Sequence, residues 1–232
     1  MNTYKHYSFD LWLTLIKSNP SFKQERTKFF FDHFNQHHKS IEAIALIFRQ
    51  VDVMCNAINE KTGNNIDAEE MYLMVISAIN DDHHSFRDID LEKLYQDMEA
   101  LVFKHLPVIY DAGTVDVLSK IKQSSGSTIS LLSNTAFIKG RTLRVVLEKL
   151  GLNRFFDFQL YSDETGMSKP NERLFRLMLD NITASRNDEK INLTEIIHIG
   201  DNIKADIEGA KMIGINTLLI NSNNQSILSL LN

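Results

Sequence analysis

The sequence predicts an α/β protein, a Rossmann-like parallel sheet core interrupted by an inserted helical cap. Three observations carry this. Past residue 107, short β-like runs alternate with helical stretches, as in a parallel sheet with right-handed crossovers. Between about residues 22 and 106 the pattern is almost wholly helical. Near the start, the apolar run YSFDLWLTLI at 7 to 16 supplies one more strand, far in sequence from the others. The simplest organisation puts residues 1–17 and 107–232 in the α/β core and 18–106 in the helical cap.

The first strand is expected over residues 4 to 9, with Asp10 at its carboxyl end, where open α/β sheets build their sites. In the helical region, Ile41, Ile44, Phe48, Val51, Cys55 and Ile58 recur at alternating steps of three and four, forming one apolar face. Leu91, Leu94, Met98, Leu101 and Val102 do much the same, and the region reads as four helices. Ser21 with Gln24, and Asp67 with Glu70, have the spacing of capping boxes at helix starts. Phe29, Phe30 and Phe31 cannot all face one core, so part of that helix is expected to line an interface or cleft. Later strands are expected in TISLLSN (128 to 134), FDFQLYS (156 to 162), IIHIGD (196 to 201) and NTLLIN (216 to 221). Helices are expected near 113 to 123, 137 to 150, 171 to 181 and 203 to 213.

At 232 residues, 43% hydrophobic and 24% charged, the chain can bury one large core or two small ones. A net charge of -5 with no Lys/Arg block argues against nucleic acid and anionic membranes as partners, leaving a small molecule as the expected substrate. A single cysteine, Cys55, permits no intramolecular disulfide and suits a reducing compartment; it is expected to be a buried small residue. MNTYKHYSFD lacks the apolar stretch of a signal peptide and no run is long enough to span a bilayer, so a cytoplasmic location is expected. No feature of the sequence specifies an oligomer.

In such a sheet, polar residues just past each strand converge on one edge. Here they are Asp10, Ser133 with Asn134, Lys169 in the SKP turn, and Asp201 with Asp206. Singly, each has an ordinary explanation: a turn or helix cap for Asp10, Ser133, Asn134 and Asp201, a solvated charge for Lys169. Together they offer what a phosphate and a divalent cation need. Clustered carboxylates raise one another's pKa unless a cation sits among them, and a few hard oxygens suit Mg²⁺. Lys169 would balance remaining negative charge. Ser133 and the amides at the next helix start would hold phosphoryl oxygens.

These motifs resemble, in order and spacing, those of the haloacid dehalogenase-like superfamily across nearly the whole chain: FDLWLTL, LLSNT, SKPNERLF and HIGDNIKADIEGAKMIGINTLLI. The resemblance implies that Asp10 is a nucleophile accepting a phosphoryl group. It implies Mg²⁺ bound by Asp10, the backbone carbonyl of Trp12 and Asp201, with Asp206 as ligand or supporting partner. It also implies that the inserted helical segment is a cap that closes over the site and selects substrates.

The chain departs from the family's phosphatases at two positions. They carry a second aspartate where this chain has Trp12, and a glycine where it has Leu13. That aspartate protonates the leaving group and later activates water; an indole does neither. General acid-base help is worth roughly 10² to 10⁴ in rate, about 3 to 5 kcal/mol of barrier. The expected function is therefore Mg²⁺-dependent phosphoryl hydrolysis of a small phosphorylated metabolite through an aspartyl phosphate, without the usual acid/base residue. The alternatives are a non-catalytic Mg²⁺ and phosphate binding module, and a dehalogenase-type hydrolase, whose branch has an aromatic residue at this position but no acid at that of Asp201. Trp12 is also expected to form a hydrophobic wall of the pocket. The pairs His37-His38 and His83-His84 would point about 100° apart on a helix and are expected to be exposed and not chelating. Arg141 and Arg144 are expected to be surface charges.

Overall fold

The computed structural model describes residues 4–83, 85–124, 126–187 and 191–231. At its centre lies β1 (His6–Phe9), flanked on one side by β4 (Thr128–Ser133) and then β5 (Phe158–Tyr161). On the other side lie β6 (Ile196–Gly200) and then β7 (Asn216–Leu219), and all five strands are parallel. The chain therefore reverses its direction of travel across the sheet beside β1, the point at which such sheets open a crevice. A short antiparallel ribbon, β2 (Ile16–Lys17) with β3 (Val108–Ile109), pairs Lys17 with Val108, so the chain leaves and re-enters the sheet layer side by side.

Period-two alternation gives the central strands two different faces. Tyr7, Phe9, Ile129, Leu131, Ile197 and Ile199 pack against α5 (Thr114–Gln123) and α6 (Gly140–Lys149) through Val117, Leu118, Leu143 and Val146. The opposite face is partly polar yet fully buried: His6, Ser8, Ser130 and His198 each have 0% exposure. It is covered by α8 (Glu172–Ser185) and α9 (Gly209–Met212), with a one-turn helix α7 (Ser162–Thr165) following β5. Buried polar groups are tolerated only when hydrogen-bonded, and these pair across strands. His6 Nδ1 meets Thr128 Oγ1 at 2.8 Å and its Nε2 meets Ser130 Oγ at 2.8 Å, while Ser8 Oγ meets His198 Nδ1 at 2.9 Å.

The helical region forms α1 (Pro20–Phe34), α2 (Ile41–Thr62), α3 (Ala68–Ile79) and α4 (Leu91–Lys104). They share a separate core containing Phe30, Ile44, Phe48, Cys55, Val75 and Met98, into which Phe137 reaches from the loop after β4. Cys55 is fully buried. The Asp67–Glu70 capping box forms, but Ser21–Gln24 does not. Pro20 occupies the first helical turn, so the cap shifts back to Asn19, whose side chain accepts from the Ser21 amide. Phe30 is buried, Phe29 half-buried and Phe31 exposed, while Phe22, Lys23, Arg26 and Thr27 of the same helix line a cleft.

Two other expectations change. The helix expected from residue 137 begins at Gly140, because Phe137 is drawn into the α1–α4 core and the Lys139 amide donates to Tyr95 Oη at 2.8 Å. The helix expected over 203 to 213 opens as a π-helical turn, Ile203–Glu208, before α9. Its N-cap Asn202 accepts from the amides of Lys204 and Ala205. His37, His38 and His83 are exposed, and His84 lies outside the described residues. Arg144 pairs with Glu164, and Arg141 with Glu92 at 3.3 Å, both near the surface. Among the described residues no helix is long and apolar enough to cross a membrane.

Burial, with the positive charges of Arg186 and Lys122 adding to it, holds the His6 pKa down at about 3, against about 6.5 for an ordinary histidine. The folded state therefore keeps His6 neutral while the unfolded chain takes up a proton below about pH 6.5. The stability associated with His6 is complete above that pH and drains as pH falls toward 3. In urea denaturation series at pH 7, 6 and 5, His6→Gln is expected to flatten the acid-side decline by up to about 1.4 kcal/mol per pH unit. Parallel slopes for the two proteins would contradict a neutral buried His6.

Candidate active site

The carboxyl edge of the sheet carries the acids, and one lysine joins them. Lys169 Nζ, 1% exposed, donates to Asp10 Oδ1 and to Asp206 Oδ1, each at 2.7 Å. Thr14 Oγ1 donates to the other oxygen of Asp10 at 2.9 Å. Asp206 is held on every side: His198 Nε2 lies 3.2 Å from Oδ1, and the Asn202 amide donates to Oδ2 at 3.0 Å. An ionised carboxylate only accepts, so His198 carries its proton on Nε2 and Nδ1 accepts from Ser8. Burial keeps that imidazole neutral by lowering its pKa. Asp206 sits so close to β6 that a Cβ at position 200 would lie 2.2 Å from its carboxylate; Gly200 is required there.

Asp10, Asp201 and Asp206 each offer a carboxylate oxygen, all within 4.8 Å of one another. Their pKa values diverge for definite reasons. Burial lifts Asp10 to about 6, opposed by Lys169 and reinforced by Asp206. Burial also lifts Asp201 to about 7, with Asp10 and Asp206 adding repulsion. Asp206 is pushed the other way: burial would raise it, but Lys169 and His198 outweigh that and hold it ionised. For Lys169, burial works against the charge, yet the two carboxylates prevail and raise its pKa. With all three carboxylates ionised, the single ammonium would leave two negative charges unbalanced. A hard divalent cation is what this donor set fits. Among the described residues the Trp12 carbonyl accepts no hydrogen bond, and it too is an oxygen donor.

Asp10, Trp12, Asn134, Lys169, Asp201 and Asp206 all line one cavity of about 440 Å³ between the sheet edge and α1–α2. That is the size range of small-molecule sites. Asn134 spends its side chain on the Lys169 backbone, accepting from its amide at 2.7 Å and donating to its carbonyl at 3.0 Å. It fixes the peptide that aims Lys169. Ser133 does not line the cavity; fully buried, it donates to the Asn134 carbonyl at 3.1 Å. The α6 amides are not at the cavity either, since Thr135 to Ile138 intervene and the Gly140 amide donates to Asp163. Leu13, at φ 59°, adopts the left-handed conformation that favours glycine, and Asn221 Nδ2 holds the strained turn by donating to the carbonyls of Leu13 and Thr14 at 2.7 and 3.2 Å.

His198, Ser8 and Arg26 belong to this neighbourhood without having been singled out from the sequence. His198 stands three residues before Asp201 in HIGD, a polar residue in an otherwise apolar strand. Arg26 stands midway between Phe22 and Phe30 at the i, i+4 spacing of a buried helix face. Both were detectable as polar residues at apolar positions.

The model of the haloacid dehalogenase-like hydrolase family matches residues 7–220. A ribulose-1,5-bisphosphate 5-phosphatase from Halopiger xanaduensis is 28% identical over 170 residues, 73% of this chain and 65% of that protein. The chain thus covers less than two thirds of the length of that relative. A magnesium-bound HAD-hydrolase, YfnB from Bacillus subtilis, superposes with a TM-score of 0.70 at 19% identity, covering 97% of this chain and 92% of that one. A 2-haloacid dehalogenase from Pseudomonas syringae superposes at 0.62 with 17% identity, covering 97% and 89%. At such identities the two structures speak for the fold, and the family model for membership. The chain belongs to the haloacid dehalogenase-like hydrolase family.

Proposed function

We propose that this hydrolase cleaves the phosphoryl group from a small phosphorylated metabolite, with Mg²⁺ as cofactor and Asp10 as nucleophile. The observation that carries the reading is the cluster of Asp10, Asp201 and Asp206 around one lysine, which leaves two negative charges to be met by a cation. Asp10, the Trp12 carbonyl and Asp201 would hold the ion. Asp206, saturated by Lys169, His198 and Asn202, acts as its anchor more than as a ligand. Bound there, Mg²⁺ would supply charge neutralisation for the phosphoryl oxygens. The phosphatase names of relatives, among them the ribulose bisphosphate phosphatase and a glyceraldehyde 3-phosphate phosphatase, support a phosphorylated substrate.

Asp10 attacks phosphorus with one carboxylate oxygen; the bond to the leaving oxygen breaks, and water later cleaves the acyl phosphate on Asp10. Lys169 and Thr14 orient the carboxylate for that attack. Neither step finds a proton carrier at position 12, where the indole lines the cavity. Substrates whose leaving group departs without a proton are therefore favoured. In this reading residues 18–106 act as the cap, joined to the core at the β2–β3 ribbon, and supply the wall that selects substrates. Halide displacement from carbon needs no cation and gives no use to Asp201, which that chemistry would leave facing Asp10.

Phosphate release from nitrophenyl phosphate or acetyl phosphate is expected to require Mg²⁺ and to vanish in Asp10→Asn. Turnover that survives both chelation and the substitution would remove the mechanism, and turnover of a haloacid in its place would establish the carbon-centred alternative. Mg²⁺-dependent binding of fluoroberyllate without turnover of any of these compounds would mark a binding module.

Restoring a carboxylate at position 12 is expected to raise turnover of alkyl phosphates by roughly 10², the scale of general acid-base catalysis. Trp12→Asp keeps the backbone carbonyl. A folded, Mg²⁺-binding Trp12→Asp protein with no gain on any alkyl phosphate would show that the missing proton carrier is not what limits the site.

A further inference from the structure

The wall of the cavity contributed by α1 contains a buried cation that the proposed chemistry does not use. Arg26 is 9% exposed and lines the cavity. Its guanidinium lies over three rings, with the carbon 4.0 Å from the Phe48 centroid, 4.8 Å from Phe137 and 5.3 Å from Phe22. Those rings hold the cation in place by attraction to their π systems. They do nothing for the N–H groups around its edge, which is where an arginine recognises oxygen. The neutral hydroxyl of Tyr72 is one partner at that edge, while Nε has none. Among the described residues no carboxylate lies within ion-pair distance of Arg26.

The charge of Asp52 reaches Arg26 without an ion pair, and the nearby acids are also engaged elsewhere. Asp52 is paired with Arg49 at 3.3 Å, and Glu60 with Lys204 at 3.3 Å and Asn202 at 3.0 Å. Lys23, three residues before Arg26 on the same helix, also lines the cavity and adds positive charge. Burying a charge without a counter-ion is costly, and arginine does not escape by losing its proton. Stacking accounts for where the guanidinium sits, but not for why a permanent cation was placed there instead of an apolar side chain.

We propose that Arg26 binds a second oxyanion of the substrate, a carboxylate or a further phosphate, so that the natural substrate is anionic at both ends. The inference rests on the reading of the Asp10 end of the cavity as a phosphate site. One anion is met by Lys169 and the cation site, and the other by the edge of the Arg26 guanidinium, which matches two oxygens at once. Arg26 is then a specificity residue on the helical wall, remote from the bond that breaks.

Non-hydrolysable phosphonates separate recognition from turnover. Calorimetric titration of the full chain with Mg²⁺ would compare alkylphosphonates with carboxyalkylphosphonates and bisphosphonates of equal chain length, over a series of lengths. At one or more lengths the doubly anionic compound is expected to bind about tenfold or more tighter, and the carboxylate and phosphonate arms tell which anion is preferred. Arg26→Met is expected to abolish that preference while leaving alkylphosphonate affinity within about twofold; Arg26→Lys, which keeps charge without the planar fork, is expected to retain part of it. Alkylphosphonates that bind as well as their doubly anionic counterparts at every length in the parent protein would overturn the proposal, whether or not the variants fold. An equal loss for both ligand types in Arg26→Met and Arg26→Lys would overturn it also, marking Arg26 as a packing residue. Failure of every phosphonate to bind would instead overturn the phosphate-site reading, and this inference with it.

Discussion

The ammonium of Lys169, shared between Asp10 and Asp206, is the interaction on which the rest of the site depends. A charge held at 1% exposure is stable only while its partners remain, and removing one partner from such a buried pair typically costs about 3 to 5 kcal/mol. The neighbouring structure maintains this geometry. Asn134 clamps the Lys169 peptide, Gly200 admits the Asp206 carboxylate against β6, and the π-helical turn brings Asp206 back toward the strand it has just left. His198 and Ser8 extend the same network into the sheet, which explains polar residues on a buried face. The sheet is thus more than a platform, since its central strands carry part of the hydrogen bonding that orients the acids.

The same lysine leaves the site short of positive charge. It neutralises one carboxylate's worth among three; burial first, and the acids' mutual repulsion second, push Asp10 and Asp201 toward neutrality while Asp206 stays ionised. In the proposed reading a cation held by Asp10 and Asp201 would relieve that imbalance and leave Asp10 ionised for attack. The same cavity is lined by Arg26, a buried cation whose Nε has no hydrogen-bond partner. Under the two proposals together, a ligand would meet a cation beside the acids and the guanidinium of Arg26 within one cavity. Trp12 lines that cavity too, an indole at the position where the resemblance implies a proton carrier in the family's phosphatases.

Much of this was legible in sequence because chemistry at a parallel sheet is tied to strand ends. Asp10, Asn134, Lys169, Asp201 and Asp206 each follow a strand or its turn, and the fold brings all of them to one cavity. What sequence reasoning misplaced lay where tertiary contacts override local signals. The Ser21–Gln24 spacing was displaced by Pro20, the start of α6 by the pull of Phe137 into the helical core, and the reach of Ser133 by its own strand-end burial. Arg26 and His198 escaped notice for a related reason: periodicity marks which face a residue is on but not whether its polar atoms find partners there. The strained turn at Leu13 was visible only as a missing glycine, and the asparagine that supports it, Asn221, is remote in sequence.

In the proposed mechanism Asp10 forms a covalent phosphoryl intermediate whose breakdown lacks a base. Rapid mixing with acetyl phosphate and Mg²⁺, acid quenching, and peptide mapping by mass spectrometry would capture that intermediate. Phosphate is expected to appear on Asp10 and to accumulate to a large fraction of the protein before steady state, because hydrolysis of the acyl phosphate is slower than its formation. Turnover of acetyl phosphate with no phosphorylated Asp10 at any quench time, or with phosphate on another residue, would contradict it.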